Sequence, residues 1–394
     1  MIADTNQLTC QKAAFSLPTD SHYLNCATRG PFSRAVEQAG VAAIRLQTNP
    51  FSLTAAHFFE QPMRVRQLFS ELINNLTPDR IAVIPSVSYA MGVVARNLHR
   101  KPGIAHGQEI LVIDGEFPSD VYAWERVSAE LGLSIITVSM PVQMPRGTAW
   151  SQCLLEAITP KTSLVVVPPV HWMYGIKFDL EAISQRAKEV GAWLAIDATQ
   201  SIGAMPFDLQ KIRPDALVCV GYKWLMGPYS TGLAYFGEAF DEGIPLEETW
   251  MARVNSEQFH RLTEYQPEYR PKAYRYNVGE QSHFIHMPML EAALTQLTHW
   301  QPDRIQNYAR NLMADALTEL GTVGCRTEDD PWRSHHLLGL WLPETADPIA
   351  VQQALLARNV SVSVRGRALR VSPNVYNDEQ DVQAFVDALK GCLS

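Results

Sequence analysis

Chemically capable side chains follow several buried strands that the sequence predicts, each at the point where a strand ends. Ser86 and Ser88 come after RIAVIP, Asp197 follows WLAI, and Lys223 follows ALVCVGY. A lysine between an apolar strand and the segment WLMGP has a lowered pKa, which suits Schiff-base chemistry. Serine hydroxyls at the start of a helix, beside free backbone N–H groups, suit the binding of a phosphate.

Two further residues occupy equivalent places, Phe117 after EILVIDGE and His171 after SLVVVPPV. Each candidate also has a purely structural interpretation. Ser86 is then a helix N-cap, Asp197 a turn cap and Lys223 a solvated lysine, while Phe117 and His171 belong to the core. The combination of these residues at successive strand ends favours a ligand site over five separate structural roles.

The elements that must position these residues alternate along the chain. Continuous apolar runs such as LVVVP and WLAID are typical of strands that are covered on both faces, and amphipathic helical patterns separate them. This rhythm predicts a doubly wound, mostly parallel α/β sheet, with TGLAYFG (231–237) as a possible antiparallel strand. Ligands of such sheets bind at the carboxyl ends of the strands.

The alternation of buried strands and helices ends near residue 285. One long helix is predicted over 288–321, and short strands then alternate with helices up to the end of the chain. We therefore predict an N-terminal arm (1–30) that packs with the smaller domain, a large α/β domain (31–287), and a linker helix with a small α+β domain (288–394).

Composition excludes several classes of protein. The 394 residues include 33 Lys and Arg against 41 Asp and Glu, a net charge of −8 that argues against nucleic-acid binding. No apolar run is long enough for a transmembrane helix, and the first residues lack the pattern of a secretion signal. The six cysteines are scattered without a CxxC pair, which favours a cytoplasmic protein without a structural metal site.

Nucleotide-binding and metal-dependent functions find little support. Neither GxGxxG nor GxxxxGK[ST] occurs in the chain, so a nucleotide-binding α/β protein is discarded. His335 and His336 lie on an apparent strand with no carboxylate at ligand spacing.

The segment 192–236, AWLAIDATQSIGAMPFDLQKIRPDALVCVGYKWLMGPYSTGLAYF, resembles the signature of the pyridoxal phosphate-dependent aminotransferases of class V, which have fold type I. That group includes cysteine desulfurases, selenocysteine lyases, kynureninases and isopenicillin-epimerase-like proteins. The resemblance extends from YLNCATRGP (23–31) to LRVSPNVYN (369–377), and so covers most of the chain.

The resemblance implies how the cofactor, pyridoxal 5′-phosphate, is held. Lys223 would bond covalently to it, Asp197 would pair with the pyridinium nitrogen, and Gln200 would hydrogen-bond the phenolate oxygen. Phe117 would stack on the ring. The phosphate would be held by three residues: Val87, through its backbone, Ser88 and Tyr222.

The resemblance also implies residues for the substrate and for a partner subunit. His171 matches a position close to cofactor and substrate, and Arg370 matches the arginine that grips an α-carboxylate. Segment 275–284 matches the region that completes the phosphate site of a neighbouring subunit, with three candidate residues, Gly279, Glu280 and Ser282. A homodimer with its active site at the subunit interface is therefore expected.

Departures from the family pattern narrow the reaction. The segment VSVSVRGRALR is short and lacks the nucleophilic cysteine of desulfurases, and Gln200 stands where kynureninases have histidine. Met173 or Tyr174 occupies the position of another phenolate contact. The sequence predicts an enzyme acting through a Cα carbanion, a transaminase or a C–S/C–C lyase. The alternatives are an epimerase-like member or a non-catalytic scaffold or regulator.

Overall fold

The structure is a computed structural model that describes residues 7–393. The first six residues of the predicted arm, where the prediction about a secretion signal also begins, lie outside the described residues. Within the described part of the chain, no helix is both long and apolar enough to cross a membrane.

The described residues form twelve strands, numbered in chain order: β1 (His22–Tyr23), β2 (Ile81–Ile84), β3 (Glu109–Ile113), β4 (Ser134–Val138), β5 (Thr162–Val166), β6 (Trp193–Asp197), β7 (Ala216–Val220), β8 (Gly232–Phe236), β9 (Leu338–Trp341), β10 (Val360–Ser361), β11 (Ser363–Arg365) and β12 (Ala368–Val371).

They also form eleven α-helices: α1 (Arg34–Gln47), α2 (Ala55–Leu72), α3 (Val87–Asn97), α4 (Tyr122–Leu131), α5 (Gly147–Ala157), α6 (Leu180–Glu189), α7 (Leu209–Ile212), α8 (His286–Trp300), α9 (Pro302–Thr322), α10 (Pro348–Leu356) and α11 (Glu379–Leu393).

Seven strands form the large sheet, in the order β2-β8-β7-β6-β5-β3-β4. Strand β8 is antiparallel to both its neighbours, and the other paired strands are parallel. Every residue of β2, β5 and β7 is buried, because helices cover both faces of the sheet. The predicted doubly wound fold is confirmed, and the carboxyl ends of six strands meet at one edge.

The prediction of one long helix over 288–321 is wrong. Helix α8 ends at Trp300 and α9 begins at Pro302, and Gln301 between them has φ 64° and ψ 123°. Proline cannot donate the N–H that a continuing helix needs, and its ring disfavours the helical conformation of the preceding residue. Three helices for which the sequence analysis gives no prediction also appear, α2, α5 and the four-residue α7.

A smaller antiparallel sheet, in the order β11-β12-β9, packs with α9, α10 and α11. The N-terminal arm runs along this part of the molecule, because β1 pairs in parallel with β10 and Asn25 bridges to Ser372. Lys12 and His22 both contact the buried carboxylate of Asp381. The division into three domains stays a prediction, since these contacts join the parts without marking boundaries.

The arm reaches the large sheet at Gly30. The Gly30 N–H donates to the Tyr222 carbonyl at 2.9 Å, which brings the arm against the turn after β7. A Cβ atom on residue 30 would lie 2.2 Å from the Lys223 carbonyl oxygen and 3.0 Å from the Met226 side chain. Only glycine therefore fits between the arm and the backbone of Lys223.

Replacement of Gly30 by alanine is expected to push the arm away from this turn. Overpacking of a tight site costs about 1–3 kcal/mol, so Gly30→Ala should unfold several degrees below the wild type in a thermal melt. Gly321→Ala is the matched control, because no atom lies within 4 Å of a Cβ added near the end of α9. An unchanged melting temperature for Gly30→Ala would contradict the close contact.

Candidate active site

A cavity of about 480 Å³ opens at the carboxyl edge of the large sheet. Its walls come from the segments that follow β2, β3, β5, β6 and β7, as expected for a doubly wound sheet. The lining residues are Pro85, Ser86, Val87, Ser88, Glu116, Phe117, Ser119, Pro168, Val170, Trp172, Asp197, Thr199, Gln200, Val220, Tyr222, Lys223, Tyr229 and Ser230.

Lys223 lies in the cavity with only 9% of its surface exposed. The chain turns sharply after β7, where the Gly221 N–H donates to the Thr231 carbonyl at 2.7 Å. Burial lowers the pKa of Lys223 to about 8, the negative charge of Asp197 raises it, and Arg370 lowers it further. Roughly a tenth of this amine is therefore neutral, and so nucleophilic, at pH 7, far more than for an ordinary lysine.

Asp197 is the last residue of β6, and its position is fixed by the next strand. Asp197 Oδ1 accepts a hydrogen bond from the Thr199 N–H at 2.9 Å. Thr199 Oγ1 in turn accepts from the Val220 N–H at 3.3 Å, at the end of β7. This bridge holds the carboxylate beside the turn that carries Lys223.

Two further acids near Asp197 escape the sequence analysis. Asp120 is fully buried, and no donor group of the described residues reaches either of its carboxyl oxygens. Burial, followed by the negative charges of Asp197 and Glu116, raises the pKa of Asp120 well above its ordinary value. Burial also raises the pKa of Glu116, whose Oε1 accepts from the Phe117 N–H at 2.8 Å. The raised pKa values favour the neutral forms of both acids, and a protonated Asp120 is able to donate to Asp197.

The start of α3 forms one end of the cavity. Ser86 caps the helix, with its Oγ accepting from the Tyr89 N–H at 3.2 Å and lying 2.9 Å from Ser88 Oγ. Among the described residues, no group accepts from the N–H of Val87 or of Ser88. Two free N–H groups and two hydroxyls at the positive end of a helix suit an anion.

Aromatic rings flank the lysine. Lys223 Nζ lies 5.5 Å from the ring centroid of Phe117 and 5.7 Å from that of Tyr222. Tyr229 packs on Tyr222 with a centroid distance of 4.5 Å, and Tyr229 is largely exposed at the mouth of the cavity. These rings leave a slot beside the amine that accommodates a flat molecule.

Gln200 is buried, and its amide is held in one orientation. Gln200 Oε1 accepts from Trp224 Nε1 at 2.8 Å, and Gln200 Nε2 donates to the Ala27 carbonyl at 3.1 Å. The backbone carbonyl oxygen of Gln200 lies 2.7 Å from His336 Nε2. Trp224 and Ala27, neither of which the sequence analysis assigns to this site, therefore fix which amide atom faces the cavity.

His171 lies behind the wall of the cavity, and its predicted place close to cofactor and substrate stays a prediction. His171 is fully buried and does not line the cavity, with its ring between Trp150 and Tyr174 at centroid distances of 5.1 and 5.2 Å. Burial lowers the pKa of His171 to about 4, and its Nε2 lies 3.2 Å from the Asp114 carbonyl. Its neighbour Trp172 does line the cavity.

Arg370 lies behind Trp172, on the side of the small sheet. Its guanidinium is almost fully buried and donates to three neutral oxygens, the Trp172 carbonyl at 3.0 Å, Thr28 Oγ1 at 2.7 Å and Ser363 Oγ at 3.2 Å. Burial lowers the pKa of Arg370 to about 9. The arm residue Thr28 therefore helps to hold this arginine at the edge of the site.

The remaining candidates lie away from the cavity of their own chain. Ser282 is buried, with its hydroxyl 3.7 Å from Met251 Sδ, whereas Glu280 is exposed. The Gly279 N–H donates to Glu247 Oε2 at 2.7 Å. Tyr174 stacks on Trp341 with a centroid distance of 5.1 Å, so neither it nor Met173 lines the cavity.

Comparison with known proteins connects this geometry to a family. Residues 41–385 match the family model described as Aminotransferase class-V. The chain belongs to the class-V aminotransferase family.

Two curated relatives illustrate the range of this family. Isopenicillin N epimerase of Amycolatopsis lactamdurans is 25% identical over 391 residues, which cover 93% of this chain and 94% of the relative. Kynureninase of Bacillus anthracis is 25% identical over 341 residues, which cover 82% of this chain and 77% of the relative.

Solved structures share the fold. The cysteine desulfurase CsdA from Escherichia coli superposes with a TM-score of 0.81 at 19% identity, over 97% of both chains. The cystine C–S lyase C-DES gives a TM-score of 0.80 at 20% identity, over 94% of this chain and 97% of that one. These structures confirm fold type I and, at such low identity, nothing finer.

Membership of the family makes the protein a pyridoxal phosphate-dependent enzyme. The residues present fit this cofactor, because the cavity contains an amine, an anion-binding helix start and an aromatic wall around one slot. Asp197 adds a carboxylate at the end of β6 that is able to face a ring nitrogen.

The low pKa of Lys223 should be visible in the protein without cofactor. We expect amine-selective acetylation of Lys223, followed by peptide mass spectrometry, to reach half its limiting rate near pH 8. In Asp197→Asn the midpoint should fall, because the negative charge that raises this pKa is removed. A wild-type midpoint near 10.5, the ordinary lysine value, would contradict the burial of the amine.

Proposed function

We propose that the protein removes the Cα proton of an amino acid and completes either a transamination or a C–S or C–C lyase reaction. The observation that carries this proposal is the buried amine of Lys223, beside Asp197 in a cavity lined by Trp172, whose carbonyl accepts a hydrogen bond from Arg370. One base, one acid partner and one carboxylate-binding cation are the groups that this chemistry requires.

The positions of the cavity residues support a division of labour around the cofactor. Val87 and Ser88 would hold the phosphate with the free N–H groups at the start of α3, and Tyr222 would add its hydroxyl. Asp197 would keep the ring nitrogen protonated, with Asp120 as its neutral neighbour. Gln200 would donate to the phenolate oxygen, because Trp224 occupies the amide oxygen.

Bound pyridoxal phosphate supplies an electron sink for the bonds at Cα. Lys223 would take the Cα proton, and its pKa of about 8 leaves roughly a tenth of such amines neutral at pH 7. Arg370 would hold the α-carboxylate and so turn the Cα–H bond toward the amine. Phe117 and Tyr222 would shield the amine from bulk water.

Several features support the exclusion of a persulfide-forming desulfurase. Strands β11 and β12 pair from Arg365 to Ala368, so only Gly366 and Arg367 remain in the turn between them. Such a turn is too short to carry a nucleophile into the cavity. Among the described residues, no cysteine lines the cavity, and burial raises the pKa of the nearby Cys219 thiol.

An epimerase is the second candidate, favoured by the similarity to isopenicillin N epimerase over most of the chain. Epimerisation needs a second proton donor on the face of Cα opposite Lys223. Analysis of products from wild-type enzyme separates the candidates, since a keto acid indicates transamination, ammonia with pyruvate indicates β-elimination, and an inverted α-carbon indicates epimerisation.

We propose a homodimer in which Ser282 of a second copy completes the phosphate site. An aromatic cluster, defined as Phe58, Phe59, Trp250, Phe259 and Phe284, includes the residue two positions after Ser282 and is partly exposed. Exposed apolar patches of this kind are typical of protein interfaces. A cytoplasmic location remains part of the proposal, and all six cysteines are free thiols.

Loss of the amine tests the covalent attachment. Purified wild-type protein should absorb near 420 nm and lose that band on borohydride treatment, with the added mass on the peptide that contains Lys223. In Lys223→Ala, the corresponding peptide should carry no added cofactor mass after borohydride treatment. Lys211→Ala, at an exposed residue, is the control. A reducible linkage that persists in Lys223→Ala would refute the assignment.

Loss of the guanidinium tests carboxylate binding. Arg370→Gln should raise KM for amino acids about 100-fold, since a charge-assisted contact is worth about 3 kcal/mol. Absorbance of the bound cofactor should stay at the wild-type level, because Arg370 does not line the cofactor cavity. Equal KM values for an amino acid and its decarboxylated amine in the wild type would contradict the role of Arg370.

A further inference from the structure

Two arginines project from the same face of the small sheet. Ser363 pairs with Arg370 and Arg365 pairs with Ala368 in the β11–β12 hairpin. Side chains of paired residues point to the same face, and so do those two positions apart along a strand. Arg365 and Arg370 are therefore neighbours, and the charge of Arg365 lowers the pKa of Arg370.

Trp172 connects this pair of cations to the cavity. The guanidinium carbons of Arg365 and Arg370 lie 5.5 Å and 5.9 Å from the centroid of its ring. The ring is held by a hydrogen bond of 2.7 Å from its Nε1 to the Gly115 carbonyl, and it meets Phe117 edge-on at 5.4 Å. Phe117 and Trp172 both line the cavity that contains Lys223.

Neither cation has an acidic partner among the described residues. Arg370 donates only to neutral oxygens, and the one hydrogen bond of Arg365 goes from Nη1 to the Val364 carbonyl at 2.7 Å. No carboxylate of residues 7–393 lies within ion-pair distance of either guanidinium. Partial burial of two adjacent cations without a counter-ion is unfavourable, and two anionic groups would relieve it.

We propose that Arg365 forms a second anion subsite, so that the substrate is an amino acid whose side chain carries a second anionic group, such as a carboxylate. This inference rests on the proposed function, in which Arg370 binds the α-carboxylate. The distal anion then lies against Arg365, and the apolar part of the substrate side chain runs along Trp172.

The subsite also predicts a preference for dianionic over monoanionic amino acids. A monoanionic amino acid neutralises one of the two guanidinium groups, whereas a dianionic one neutralises both. Charge-assisted bonds to a planar guanidinium are directional, so the second contact selects for the length of the side chain as well as for its charge.

Binding of simple carboxylates to the holoenzyme tests the subsite without turnover. Calorimetric titration should show glutarate, a dicarboxylate, binding about tenfold more tightly than butyrate. Arg365→Met should remove this advantage and leave the affinity for butyrate unchanged. Arg365→Lys should recover part of the advantage, because it retains the charge, whereas a role in packing against Trp172 alone would not distinguish the two anions.

Arg367→Met is the matched control, since Arg367 is exposed in the same turn. This variant should bind both anions as tightly as the wild type does. Steady-state kinetics should agree, with Arg365→Met raising KM for L-glutamate or L-2-aminoadipate and leaving KM for L-norvaline unchanged. Equal binding of glutarate and butyrate by the wild type, or equal weakening of both by Arg365→Met, would overturn the inference.

These outcomes are distinct from failure of the proposed function. If norvaline reacts and no dicarboxylate is favoured, the second subsite is wrong and the amino-acid chemistry stands. If no amino acid alters the cofactor absorbance although glutarate binds through Arg365, the anion site stands and the proposed reaction is wrong.

Discussion

The buried amine of Lys223 constrains most of the structure around it. An ammonium group loses its hydration in such a place, so burial favours the neutral amine and lowers its pKa to about 8. Asp197 limits that shift, and the Thr199 bridge between β6 and β7 keeps its carboxylate at the required place. The reactivity of the lysine thus depends on the register of two parallel strands, because a slip would separate the acid from the amine.

The surrounding acids extend this electrostatic balance. Asp197, Asp120 and Glu116 lie near one lysine, and three ionised carboxylates would repel one another in a buried space. Burial and this repulsion raise the pKa values of Asp120 and Glu116, which favours their neutral forms. The two acids thus limit the accumulation of negative charge around Asp197.

The fold and the edge that carries the site could be predicted from the sequence, since apolar runs mark buried strands and the polar residues after them must meet at one edge. The cofactor and the residue roles came from the resemblance of segment 192–236 to class-V aminotransferases. Asp120 lies in the short turn 118–120 before α4, and its burial could have been foreseen only from the packing of that turn against α3. The contact of Trp224 with Gln200 could not be predicted, because a tryptophan that follows a lysine is equally compatible with ordinary core packing. Strand-end position places His171 near the site but does not determine which way its side chain points, so its role stays a prediction. Pro302 was sufficient to predict a helix break at Gln301, although the amphipathic pattern of 288–321 continues across that position.

The pairing of the arm with the C-terminal strands has a consequence for biosynthesis. His22 and Tyr23 leave the ribosome early, yet their partners Val360 and Ser361 emerge much later. Thr28 likewise cannot contact Arg370 until β12 has been synthesised. Contacts of such high sequence separation form slowly, so the arm is expected to dock late in folding.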